Sequence, residues 1–197
     1  LVYTVIILLI FSYLFGSIPF SLIISKSFYK IDLREHGSGN VGTTNTFRIL
    51  GKKAGIVVLI LDLLKGAIPV WIAMLVDGTG DFPVVIFGVV AALGHVYSIF
   101  LKFKGGKAVA TGGGAILAAS PLIFLVLILT FLITLKISKY VSLSSVFAAV
   151  ALLISVMFTG DPFMIGFGVI LAVIVIIKHI SNMKRIKAGT EPKITFM

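Results

Sequence analysis

Long apolar runs alternate with short polar segments along the whole chain. The runs cover Leu1–Ile24, Ala54–Val76, Phe82–Leu101, Ala108–Leu135, Val141–Thr159 and Pro162–Ile177. A bilayer core of about 30 Å is crossed by roughly 20 helical residues, so the pattern predicts membrane-crossing helices. The first segment lacks the basic start and small-residue cleavage site of a signal peptide and reads as a retained helix. No internal repeat, low-complexity stretch or linker breaks the pattern. It predicts an all-α integral membrane protein with one transmembrane domain over residues 1–197.

Lysine and arginine set the expected orientation, because cytoplasmic loops carry the basic excess. Residues 25–53 hold Lys26, Lys30, Arg34, Arg48, Lys52 and Lys53, whereas the turn Asp77–Asp81 holds no cation. Lys102, Lys104 and Lys107 return the chain to the cytoplasm, where Lys184, Arg185, Lys187 and Lys193 of the tail also belong. Three single spans after Lys107 would leave the tail outside. The run Ala108–Leu135 is interrupted by Gly112-Gly113-Gly114 and by Ser120-Pro121. Doubling back near Ser120-Pro121 as two shorter helices restores the parity. The first of these, about 12 residues or roughly 18 Å long, is too short to span. The expectation is therefore about seven helices, N-terminus outside and C-terminus cytoplasmic.

Composition strengthens the membrane reading and adds a charge. The chain is 59% hydrophobic with a mean hydropathy of +1.19, against about 45–50% apolar residues in a typical soluble domain. Its net charge is nevertheless +10. Such an excess fits basic loops held against anionic headgroups, and it also suits an anionic substrate. Membrane lipid is thus an expected partner and nucleic acid is not; no protein partner is legible. Cysteine is absent, the seven acidic residues are scattered and the three histidines lie far apart. No metal site or cofactor is predicted.

Three polar segments carry candidate chemistry. The first reads His36-Gly37-Ser38-Gly39-Asn40-Val41-Gly42-Thr43-Thr44-Asn45-Thr46-Phe47-Arg48, followed by a short helix ending at Gly51. Glycines allow backbone N–H groups to approach an oxyanion, and a helix N-terminus favours negative charge. Hydroxyls from Ser38, Thr43 and Thr44 and the Arg48 fork would add donors, though an ordinary helix cap fits the same composition. The second segment holds His95 and Lys102-Phe103-Lys104-Gly105-Gly106-Lys107 before a helix start. It suits an anion cradle but lacks Walker A spacing, and Lys102 reads as a membrane-surface anchor. The third places His179 and Asn182 three apart on one face of the last helix. Asp62 and Lys65 sit at i, i+3 inside an apolar run. Charges there are costly and normally paired, so they read as a buried salt bridge bracing the site.

Taken in order, Gly16-Ser17-Ile18-Pro19, the 36–48 segment, Asp62-Leu63-Leu64-Lys65-Gly66, residues 94–111, Tyr140-Val141-Ser142-Leu143-Ser144 and residues 178–193 resemble the bacterial acyl-phosphate-dependent glycerol-3-phosphate acyltransferases over nearly the whole chain. The resemblance implies a seven-helix inner-membrane enzyme with its active site at the cytoplasmic face. It would transfer a fatty acyl group from acyl phosphate to glycerol 3-phosphate, releasing phosphate and giving lysophosphatidate, the opening step of phospholipid synthesis. Residue by residue, it implies catalytic roles for Ser38, Arg48, Lys107, His179 and Asn182. Gly37, Gly39, Asn40, Gly42, Thr43, Asn45, His95, Lys104, Gly105, Gly106 and Ser142 would line the substrate and phosphate site, and Glu191 would be structural. Lys178 stands where an arginine is common, Ser98 where many members have proline, and Ala108 replaces a frequent glycine.

An acyl phosphate is already activated, so no acyl-enzyme is required. Two phosphates meeting in one site call for the Lys, Arg and amide donors seen here. The proton acceptor stays open between His179, whose ordinary pKa suits the task, and the phosphate of glycerol 3-phosphate. No histidine has an aspartate five residues on, so the HxxxxD signature of other acyltransferases is absent. The competing class is a small transporter of organic phosphates. Its weakness is that every candidate segment falls at the predicted cytoplasmic face. A non-catalytic scaffold leaves the Gly-Lys loops unexplained.

Overall fold

A computed structural model describes residues 1–194 and contains helices and turns but, among the described residues, no strand. Among the described residues eight α-helices follow one another: α1 Val2–Ser17, α2 Phe20–Tyr29, α3 Thr43–Leu75, α4 Val85–Val96, α5 Val109–Ala119, α6 Pro121–Ser138, α7 Val141–Met157 and α8 Pro162–Lys187. Short 3₁₀ turns lie at Leu33–Glu35 and Ile99–Leu101.

The helix in excess of seven comes from the first apolar run, which bends by 42° between α1 and α2. Pro19 has no N–H and disfavours helical backbone at the residue before it; Ile18 accordingly takes ψ 119°. The interruption expected in the fourth run is present, with extended-like Ser120 (φ −153°, ψ 89°) between α5 and α6. At 11 residues, α5 reaches roughly 16 Å and cannot cross a bilayer. Helices α3, α6 and α8 are long and apolar enough to do so, as is α1 with α2 if the bent pair counts as one span.

Helix α3 contains a reversal. Gly51 has φ 84° and ψ −175°, a backbone open to glycine and strained for other residues. The segment 43–50 therefore folds back along 52–75, and a Cβ on Gly55 would enter the Phe47 ring. The predicted short helix ending at Gly51 is this arm.

Packing divides the chain into two compact units, Leu1–Ala119 and the remainder from Ser120. In the first, α3 lies on α5 and α1 on α4. The α3–α5 contact is backbone-close: Gly66 abuts the Thr111 carbonyl, and Gly114 abuts that of Leu63, the small-residue packing that membrane helices use. In the second unit α7 packs against both α6 and α8. Large apolar side chains such as Ile7 and Ile10 of α1, Leu125 and Leu129 of α6, and Ile170 and Val173 of α8 remain exposed, as lipid-facing surfaces should.

Candidate active site

The first loop is built around Asn45, which is buried. Its amide nitrogen donates to the carbonyls of Leu33 (3.1 Å) and His36 (3.0 Å), and its Oδ1 accepts from the Ser38 N–H at 3.0 Å. Both donors and the acceptor of this side chain are thus engaged in shaping the loop. At the loop's entrance Asp32 pairs with Arg34 at 2.6 Å and Lys26 at 2.8 Å. Hydrogen bonds from Arg34 first, and from Lys26, hold its carboxyl well below the usual carboxylate range. Ser38 and Arg48 stay exposed.

Beneath the loop lies the ion pair. Lys65 Nζ is 2.9 Å from Asp62 Oδ1, and both side chains are almost fully buried. The ammonium also donates to the Ile18 carbonyl at 3.0 Å and sits 5.8 Å from the centre of the Phe20 ring. It thereby holds the break between α1 and α2, while Thr43 Oγ1 donates to Asp62 Oδ2 at 3.2 Å. A hydroxyl has one proton to give, so Thr43 spends its donor on Asp62. A small pocket beside the pair is lined by residues including Ser17, Asp62, Lys65, His95 and Gly106.

The Gly105-Gly106 loop is docked on the end of α4. The Gly105 N–H donates to the Val96 carbonyl and the Gly106 N–H to that of His95, both at 3.0 Å. Side chains at these positions would collide with the His95 carbonyl and with the His95 ring. The glycines therefore serve close packing, and their amides are engaged rather than turned outward. Lys107 follows at once, and the first N–H groups of α5 lack intrahelical acceptors. Ser98 donates to the Ser17 carbonyl at 2.6 Å, tying the same loop to the end of α1.

In the second unit, Glu191 gathers three donors. Its Oε1 accepts from Asn182 Nδ2 at 2.7 Å and Ser142 Oγ at 2.8 Å, and its Oε2 from Arg185 Nε at 2.8 Å. Burial works against ionisation, but the hydrogen bonds from Asn182, Arg185 and Ser142 outweigh it and hold the carboxyl below its ordinary value. His179 is buried, with Nδ1 2.7 Å from the Val175 carbonyl. A carbonyl only accepts, so Nδ1 carries a proton.

A family model for glycerol-3-phosphate acyltransferase matches residues 6–189. The chain belongs to the glycerol-3-phosphate acyltransferase family. It is 45% identical to glycerol-3-phosphate acyltransferase of Staphylococcus haemolyticus (strain JCSC1435), over 98% of this chain and 99% of that one. It is 51% identical to glycerol-3-phosphate acyltransferase 3 of Bacillus anthracis, over 98% and 96%. The crystal structure of PlsY (YgiH), an integral membrane glycerol 3-phosphate acyltransferase, in its glycerol 3-phosphate form has a TM-score of 0.91 to this fold. It is 38% identical over 98% of this chain and 96% of that chain. The lysophosphatidic acid form has a TM-score of 0.87. The acyltransferase class and the membrane-embedded all-α fold read from the sequence are both borne out.

Within the acyltransferase, Asn45 and the Ser38 backbone meet directly, as do Thr43, Asp62 and Lys65, and as do Ser142, Asn182 and Glu191. Gly37, with φ 62°, lies against Asn45, and Gly39 has φ 68°. Gly42 caps α3, Asn40 is half-buried and Lys104 is exposed. Lys107 is half-buried just before α5. Two participants escaped the sequence reading. Arg185 looked like one more tail cation, yet its i+3 spacing from Asn182 and the nearby Glu191 were a usable signal. Ser98 had none, since its partner is a backbone carbonyl of α1.

Proposed function

We propose that the enzyme transfers a fatty acyl group directly from acyl phosphate to glycerol 3-phosphate, giving 1-acyl-glycerol 3-phosphate and inorganic phosphate. The observation that carries this reading is the contrast inside the first loop. Asn45 and Thr43 are consumed internally, while Ser38 and Arg48 stay exposed on a preformed frame. Such a frame suits a phosphate ester, and the family to which the chain belongs acts on one by name. In this reading Ser38 and Arg48 take glycerol 3-phosphate, and within the second unit His179 and Asn182 are proposed to act on substrate. Lys107 and the start of α5 take the acyl-phosphate head.

The glycerol hydroxyl oxygen forms the new bond to the acyl carbonyl carbon. The carbon–oxygen bond to phosphate breaks, and phosphate leaves with the electron pair. The hydroxyl proton passes to the phosphate of glycerol 3-phosphate. Fixed cations offset the charge of two phosphates brought together, which water would do less well in a partly dry site. The basic loops support a cytoplasmic face of a bacterial cytoplasmic membrane for this chemistry, with the N-terminus outside and the C-terminus inside.

The test is acyl transfer by the purified protein supplied with glycerol 3-phosphate and palmitoyl phosphate, with palmitoyl-CoA as a parallel donor. Lysophosphatidate should form from the acyl phosphate alone and be lost in Ser38→Ala and Arg48→Ala. Transfer from palmitoyl-CoA instead would overturn the donor assignment. No transfer by folded protein would overturn the activity.

A further inference from the structure

We propose that Asp62 is a positioning residue: by accepting the Thr43 hydroxyl it latches the arm 43–50, and with it Arg48, onto the spanning part of α3. This deepens the preceding reading and rests on it for the role of Arg48.

Three contacts close the hairpin, at Gly51, between Phe47 and Gly55, and between Thr43 and Asp62. The first is a hinge and the second an apolar contact that tolerates sliding. Only the third is directional, and it lies farthest from the hinge, where it limits the angle of the arm most. Its acceptor is a carboxylate paired with Lys65, and at 3.2 Å the bond is long but gains from an ionised acceptor away from water. Lys65 in turn is anchored on the Ile18 carbonyl, so the latch is fixed to the break between α1 and α2 as well as to α3. A bare carboxylate this close to a phosphate site would repel substrate; its salt bridge to Lys65 cancels that charge.

Asn45 ties the arm to the first loop, whereas its angle to the rest of α3 is held by one hydroxyl. Removing a hydrogen bond to a charged group costs about 1.5–3 kcal/mol, or roughly tenfold to a hundredfold in an equilibrium. In lipid nanodiscs, Thr43→Val should speed amide exchange across residues 44–50 by about tenfold or more. It should lower kcat/KM for glycerol 3-phosphate by a similar factor, leaving KM for palmitoyl phosphate within about twofold. Thr43→Ser should restore both readouts, because it restores the donor. A second pair of variants avoids any unpaired buried charge: Asp62→Asn/Lys65→Met keeps an acceptor and should hold exchange near wild type, whereas Asp62→Leu/Lys65→Met should release the arm. Unchanged exchange in Thr43→Val, or equal exchange in the two double variants, overturns the latch. A released arm with wild-type glycerol 3-phosphate kinetics, or with equal losses for both substrates, overturns its positioning role. The exchange readouts decide the latch even if the wild-type protein transfers no acyl group, an outcome that would instead defeat the proposed activity.

Discussion

Glu191 and Asn182 are joined by a hydrogen bond of 2.7 Å between Oε1 and Nδ2, and the same carboxylate binds Ser142 and Arg185. Asn182 therefore enters any chemistry with its amide orientation already chosen. Because the hydrogen bonds favour the ionised carboxylate, Glu191 titrates below the ordinary 4.5 in the folded state. A depressed carboxyl contributes stability above its unfolded pKa that is lost as pH falls through the folded value. Thermal unfolding from pH 7 to pH 3 should show wild type above Glu191→Gln at neutral pH, with the gap narrowing below about 4.5. A gap that widens on acidification would contradict the arrangement.

Gly105 and Gly106 differ in what blocks a side chain. At Gly105 the obstacle is the His95 backbone; at Gly106 it is chiefly the His95 ring, which can rotate. Overpacking costs about 1–3 kcal/mol, and a backbone obstacle puts Gly105→Ala at the upper end. Gly105→Ala should destabilise more than Gly106→Ala and, if Lys107 holds a phosphate as proposed, raise KM for the substrate bound there.

Ala108 is buried with φ 56°, the left-handed region that a side chain disfavours by about 1–2 kcal/mol. A glycine at this position would carry no such strain. Ala108→Gly should raise the unfolding midpoint, on the order of 2–4 °C per kcal/mol recovered, without loss of turnover. An unchanged or lower midpoint would show that the strain is relieved elsewhere.

Asp62 and Lys65 should show strong coupling. Removing one member of a buried pair leaves an uncompensated charge at a cost of about 3–5 kcal/mol, whereas removing both is far milder. Asp62→Leu and Lys65→Met should each lower the unfolding midpoint more than the double variant does. Additive losses would argue against a mutually neutralised pair.

Sequence pattern reached local features reliably. The Asp62–Lys65 bridge is three residues wide and lies inside a helix, so spacing alone places the two on one face. The interruption at Ser120-Pro121 follows from proline chemistry, and the arm ending at Gly51 from a glycine between two helical patterns. The break at Ile18–Pro19 carried the same proline signal, yet the apolar run masked it, because hydropathy averages over a bend of 42°.

What the sequence determined by itself is the all-α membrane fold, the polar segments and the family, since these depend on local composition and ordered motifs. What the tertiary structure decided is which polar groups remain open. Asn45, Thr43 and the Gly105 and Gly106 amides all looked like phosphate donors. Each is engaged by a partner from another turn or helix: Leu33 and His36, Asp62, and the end of α4. A donor has few protons to give, and only the packed chain determines which acceptor reaches it first.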